Sequence, residues 1–154
     1  MMLGYVNNEK ESKEMIQTHS DGSVWIHTGD IGYINENGSL YIKGRMKRIY
    51  LTQQKGALAK IFPDRIEKVI IQHPAISDCC VVCIPHGENN YLPIAYCELK
   101  EETEKTKSLE EQLLFSCKEE LPEYAIPVKF VFRSLPRTAM GKIDYRILEK
   151  MNEG

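Results

Sequence analysis

Ile76-Ser77-Asp78-Cys79-Cys80-Val81-Val82-Cys83-Ile84 is an apolar run too rich in β-branched residues to favour a helix, and it predicts a strand. Leu92–Leu99 pairs with it as a hairpin, across a longer loop that contains Pro85 and Gly87. Working back from this strand, Asp64 with Glu67 three residues on reads as a capping-box start. Ile66, Val69 and Ile70 give that helix one apolar face up to His73-Pro74. Before it, Arg48–Thr52 reads as a strand, Gln53–Ala59 as a polar loop, and Lys60–Phe62 as a short strand stopped by Pro63. Working forward, Lys100–Lys107 is a solvated, charged connection. Ser108-Leu109-Glu110-Glu111 is a second capping box, followed by Leu109, Leu113, Leu114, Cys117 and Leu121 on one helical face. Pro122 ends that helix, Val128–Phe132 is a strand, and Tyr145–Met151 is a terminal helix. From Lys60 to Phe132 the order is β-α-β-β-α-β, a split βαβ arrangement with helices on one face of the sheet.

The opening region has a different texture. Its first twenty residues are polar and irregular, and Ser23–His27, Gly32–Asn35 and Ser39–Lys43 read as short strands of a small antiparallel meander. Asn35-Glu36-Asn37-Gly38 supplies the turn, because Asn and Gly tolerate positive φ. The fold class expected is α+β, with residues 1–45 forming one region and residues 46–154 a second domain.

Composition removes several function classes. A net charge of −2 leaves no surplus of Lys and Arg to displace counterions from a nucleic acid. No stretch approaches the roughly 18–20 apolar residues that span a bilayer, and the first residues lack the order of a signal peptide. The five cysteines, an odd count set in apolar runs, suit a reducing, cytoplasmic compartment. Cys80-Val81-Val82-Cys83 is nominally a C-x-x-C pair, but a zinc site needs further ligands at metal spacing. On a strand, residues three apart point to opposite faces. No metal site is expected.

Three short segments carry chemistry. In Trp25-Ile26-His27-Thr28-Gly29-Asp30 a strand ends in a Gly turn that presents a carboxylate, whose two acceptor oxygens suit paired hydroxyls. In Ile42-Lys43-Gly44-Arg45-Met46-Lys47-Arg48 a guanidinium beside a Gly turn suits bidentate recognition of oxygens. In Leu135-Pro136-Arg137-Thr138-Ala139-Met140-Gly141-Lys142 a Gly-Lys between a strand and a helix places an ammonium on an exposed tip. It is not a P-loop, because the upstream Gly and the following Ser or Thr are missing.

In this order, with Asn37-Gly38, Pro63 and Ile66-Glu67 between them, the segments resemble the signature motifs of the adenylate-forming superfamily, which includes acyl-CoA synthetases. The resemblance covers nearly the whole chain. It implies an ATP-dependent acid–thiol ligase that makes acyl-AMP from a carboxylate and passes the acyl group to coenzyme A. Loading of a carrier protein, or a stand-alone docking or nucleotide-binding module, are the alternatives. It further implies that Asp30 binds the ribose of ATP or AMP, that Arg45 supports ribose and phosphate, and that Lys142 reaches the carboxylate and α-phosphate. Lys47 falls at the family's hinge, and Lys55-Gly56 borders the thiol path. The stretch from Arg45 to Pro63 is a few residues longer than the family pattern. The family's phosphate loop and acyl pocket have no counterpart here, so the resemblance implies a missing large N-terminal domain that also holds most of the Mg²⁺ contacts. Alone, the chain is expected to be catalytically incomplete.

Overall fold

The computed structural model describes residues 3–88 and 90–152. They form two compact units, the first ending at Lys47 and the second beginning at Arg48.

The first unit opens with α1 (Glu9–Met15), a helix that buries none of its residues. Asn8 starts it by accepting a 3.1 Å hydrogen bond from the Glu11 amide, which satisfies one of the open donors at a helix start. Strands β1 (Ile16–Thr18) and β2 (Val24–Ile26) follow as one hairpin, and β3 (Asp30–Ile34) and β4 (Leu40–Arg45) as another. The expected meander is therefore two separate antiparallel hairpins. The reason lies in Thr28-Gly29, where Gly29 at φ +73° redirects the chain between β2 and β3. Asn35 shapes the second turn, its Oδ1 accepting from the amides of Asn37 (3.1 Å) and Ser39 (2.8 Å). A bulge after Ile31 lets Gly32 lie against Tyr41, where a Cβ would meet the Tyr41 carbonyl oxygen at 2.5 Å.

The second unit begins with the hairpin β5 (Tyr50–Gln54) and β6 (Ala57–Ile61), closed by Lys55 and Gly56. Both turn residues have positive φ (51° and 80°), the geometry that matches the right-handed twist of a two-residue hairpin. Then come α2 (Pro63–Ile70), β7 (Ile76–Pro85), β8 (Tyr91–Leu99), α3 (Lys107–Glu120), β9 (Lys129–Phe132) and α4 (Tyr145–Lys150). The β-α-β-β-α-β order is as expected. β7, β8 and β9 form a mixed sheet, with β8 antiparallel to β7 and parallel to β9, while β6 pairs with β5 in its own hairpin.

Alternation along β7 organises the core. Cys79, Val81 and Cys83 point to the face covered by α2 and α3, where they meet Ile66, Ile70, Leu113 and Cys117. Cys80 and Val82 point to the other face, where Leu148 of α4 and Leu135 cover them. Thus α2 and α3 share one face and the terminal helix seals the opposite one. Two local starts differ from expectation. Helix α2 has Phe62 as its cap and Pro63 in its first turn, with no side-chain cap; α3 is capped by Thr106, whose Oγ1 accepts from Leu109 at 3.1 Å, two residues before Ser108.

Cys80 and Cys83 lie on opposite faces of β7, and all five cysteines are buried and unpaired. Burial pushes the thiol of Cys117 up to about 11 and those of Cys80, Cys83 and Cys97 to about 12. The thiolate is the reactive form. Ellman's reagent at pH 8 is therefore expected to modify the folded chain more than about tenfold more slowly than the chain in urea. A rapidly reacting cysteine in the folded chain would contradict this packing.

Candidate active site

The register of β3 and β4 sets Asp30 directly opposite Arg45. Arg45 Nε reaches Asp30 Oδ1 at 3.0 Å, and its Nη1 donates to the Thr28 carbonyl at 3.1 Å. The fork thus holds both the carboxylate and the turn that presents it. The Asp30 amide donates to Thr28 Oγ1 at 3.2 Å and the Met46 amide to the Gly29 carbonyl at 2.7 Å, closing the turn on both sides. The carboxylate keeps 26% of its surface and the Arg45 side chain 58%, so both remain open to a ligand. Just upstream, the Nε2 atoms of His19 and His27 lie 3.2 Å apart, and His19 stacks on Trp25 with centroids 5.5 Å apart. These contacts brace the hairpin that leads into Thr28-Gly29-Asp30.

Met46–Arg48 is a single 3₁₀ turn, with Lys47 exposed. Arg48 has an unforeseen role. Its side chain is 14% exposed; Nη1 reaches Asp64 Oδ1 at 2.8 Å and Nη2 reaches Glu67 Oε1 at 2.6 Å. Nη2 also donates to the Val81 carbonyl at 3.0 Å, and the guanidinium carbon lies 5.1 Å from the centre of the Tyr145 ring. Burial works against its charge, yet the carboxylates of Glu67 and Asp64 more than offset that and raise its pKa. Asp64 and Glu67, expected to form a capping box, instead bind this arginine. Glu67 Oε1 also accepts from the Val81 amide at 2.7 Å.

The loop bearing Lys142 is folded on itself. Thr138 donates to the Lys142 carbonyl at 2.7 Å, Gly141 to the Thr138 carbonyl at 2.9 Å, and Asp144 to the Pro136 carbonyl at 2.8 Å. Gly141 sits at φ +79°, a conformation that suits glycine. Arg137 moors the loop to the sheet through Asp78 and Glu98, both at 2.9 Å. The Lys142 side chain is exposed and takes part in none of the ion pairs among the described residues. The loop is ordered and its charge is uncommitted.

Lys55-Gly56 is exposed at the far tip of the β5–β6 hairpin. That hairpin is fastened to the loop joining β7 and β8, where Gln53 donates to Asn90 Oδ1 at 2.6 Å. The Lys142 loop is fastened near the start of β7. Asp78 lies near the start of β7 and Asn90 in the loop just past its end at Pro85; from Asp78 to Pro85 the strand runs about 23 Å at about 3.3 Å per residue. Lys142 and Lys55-Gly56 therefore hang from opposite ends of the same ladder.

A split-βαβ unit ending in a moored Gly-Lys loop, preceded by a unit with an Asp–Arg pair at a Gly turn, has the architecture of adenylate-forming enzymes. Residues 65–142 match the family model described as the AMP-binding enzyme C-terminal domain, and the chain belongs to that family. It is 33% identical over 151 residues to a 2-succinylbenzoate–CoA ligase of Bacillus cereus (strain Q1), a match that covers 97% of this chain and 28% of the relative. Among solved structures it is similar to the anthranilate CoA ligase AuaEII in complex with anthranoyl-AMP (TM-score 0.78, 28% identity, 95% of this chain and 27% of that one). It is also similar to the o-succinylbenzoate CoA synthetase of Bacillus subtilis in complex with its acyl-adenylate intermediate (TM-score 0.73, 30% identity, 93% and 27%). The chain thus spans little more than a quarter of the length of these relatives.

Proposed function

We propose that this chain is the part of an ATP-dependent acid–thiol ligase that delivers the catalytic lysine. The observation that carries this reading is the exposed ammonium of Lys142, in no ion pair among the described residues, on a loop closed by main-chain hydrogen bonds. In the first half-reaction a carboxylate oxygen attacks the α-phosphorus of ATP, forming acyl-AMP and releasing pyrophosphate. Two anions must approach, and the Lys142 ammonium offsets their repulsion and the charge that develops. Asp30 accepts from the ribose hydroxyls, and Arg45 orients Asp30 and faces the ribose and phosphate. In the second half-reaction the thiol of coenzyme A attacks the acyl carbonyl and AMP leaves. Lys47 is the hinge between the two arrangements, in keeping with the division of the chain after it. Lys55 and Gly56 border the path of the thiol arm, at the end of the ladder remote from Lys142.

The phosphate loop and the acyl pocket would lie in the portion of the ligase that these residues do not span, in keeping with their covering 28% of a curated relative. Mg²⁺ bound with ATP would be held there as well. The described residues contain no group of three or more His, Cys, Asp or Glu able to hold a metal. No helix among the described residues is long and apolar enough to cross a membrane, and five unpaired cysteines fit the reducing cytoplasm.

The test is a graft. Placed in the Bacillus subtilis succinylbenzoate synthetase instead of the matching segment, the chain is expected to support carboxylate-dependent ATP–pyrophosphate exchange and thioester formation. The chain alone is expected to give no exchange. A folded chimera without exchange, or exchange by the isolated chain, would overturn the reading.

A further inference from the structure

Two residues just past Lys47, Arg48 and Tyr50, lie two apart. They contact Tyr145 and Glu149, four apart on α4. Side chains four apart on a helix share a face, so the contacts of Arg48 and Tyr50 lay the segment after Lys47 along one face of α4. The Arg48 guanidinium lies over the Tyr145 ring while two of its nitrogens hold Asp64, Glu67 and the Val81 carbonyl. The Tyr50 hydroxyl donates to Glu149. Tyr145 is the first residue of α4 and stands three residues after Lys142. The other end of the Lys142 loop is moored by Arg137 to Asp78 and Glu98.

We propose that Arg48 is a positioning residue for Lys142: through the Tyr145 ring it couples the exit of the hinge to the head of α4, so that hinge and lysine loop move as one body. The proposal rests on Lys142 and Lys47 acting as described under Proposed function. Lysine at position 48 would keep the charge but lose both the fork and the guanidinium that lies over the ring. Leucine at position 145 would keep apolar contact with Ile143 and Leu148 and remove the ring. Neither change touches the lysine itself.

The isolated chain supplies the first readout. In Arg48→Lys and in Tyr145→Leu, the amides of Thr138, Gly141 and Asp144, each hydrogen-bonded within the loop, are expected to exchange about tenfold faster with solvent. In Tyr145→Leu those of β7 and β8 should be unchanged. Wild-type exchange in the loop of folded Tyr145→Leu overturns the proposal, whether or not Arg48→Lys folds. The grafted enzyme supplies the second readout. Either variant is expected to lower kcat of acyl-AMP formation about tenfold, with KM for ATP and thioester formation from preformed acyl-AMP unchanged. Equal loss in both half-reactions would mean that Arg48 only supports the fold, and would sink the idea. Lys142→Ala in the same graft separates the two levels. If Lys142→Ala abolishes adenylation while Tyr145→Leu leaves it intact, the coupling fails and the lysine's role stands. If Lys142→Ala is silent, the functional reading fails, and the exchange data still judge the coupling.

Discussion

Replacing Lys142 with alanine in the grafted enzyme is expected to lower the rate of acyl-AMP formation by about 10²–10³-fold, the usual cost of deleting one preorganised group that stabilises charge in a transition state. Thioester formation from supplied acyl-AMP should hardly change. The asymmetry follows from the chemistry. Adenylation brings a carboxylate and a phosphate together and needs a cation between them, whereas thioester formation starts from an adduct whose acyl carbonyl is already activated. The structure makes this variant a clean one. Lys142 is exposed and the loop is closed by main-chain bonds and by Arg137, so truncating the side chain leaves the hydrogen bonds of the turn intact. The thermal midpoint of the chain should not move. Single-turnover assays of each half-reaction check the expectation, and a loss shared by both would remove Lys142 from the chemistry.

The second large effect is on stability. Glu67→Ala is expected to destabilise the second unit by roughly 3 kcal/mol, the lower end of what breaking one side of a buried ion pair costs. The carboxylate serves two partners, Arg48 Nη2 at 2.6 Å and the Val81 amide at 2.7 Å. Without it a guanidinium and a backbone donor remain largely buried and short of an acceptor. Asp64 still holds Nη1, which keeps the cost from reaching the upper end. Glu67→Gln keeps an acceptor for Val81 and should recover part of the loss. Urea unfolding followed by far-ultraviolet circular dichroism measures both variants. A midpoint for Glu67→Ala equal to that of the parent chain would show the pair to be dispensable.

Much of this architecture could be read along the chain because its signals are local. The run through Val81 and Val82 was legible as a strand, the stripe Leu109, Leu113, Cys117 and Leu121 as a buried helix face, and Asn37-Gly38 as a turn. Opposite faces for Cys80 and Cys83 followed from the period of a strand alone. What escaped was set by distant partners. Asp64 and Glu67 have the spacing of a capping box, but Arg48 lies 16 and 19 residues before them and claims both. The mooring of Arg137 spans 59 residues to Asp78, and nothing near Arg137 announces it. Helix α1 was missed for the opposite reason. It buries no residue, so it has no apolar face for a periodicity to reveal, and its local marks were the Asn8 cap and the placement of Glu9 and Lys13 at its two ends. The candidate site was legible in part. Asp30 and Lys142 each sit beside a Gly turn, whereas the Gly44 expected to turn the chain before Arg45 lies inside β4, and the pairing of Asp30 with Arg45 depended on strand register.

The attachment of two loops to the two ends of a single stiff hairpin has a kinetic corollary. If one fixed cleft must receive first the ammonium and then the thiol arm, turning either tip inward necessarily swings its counterpart out. Sequential order would then be imposed by geometry, with no regulator needed to prevent both steps from being attempted at once. A cross-link freezing either orientation would leave one half-reaction running and silence the other.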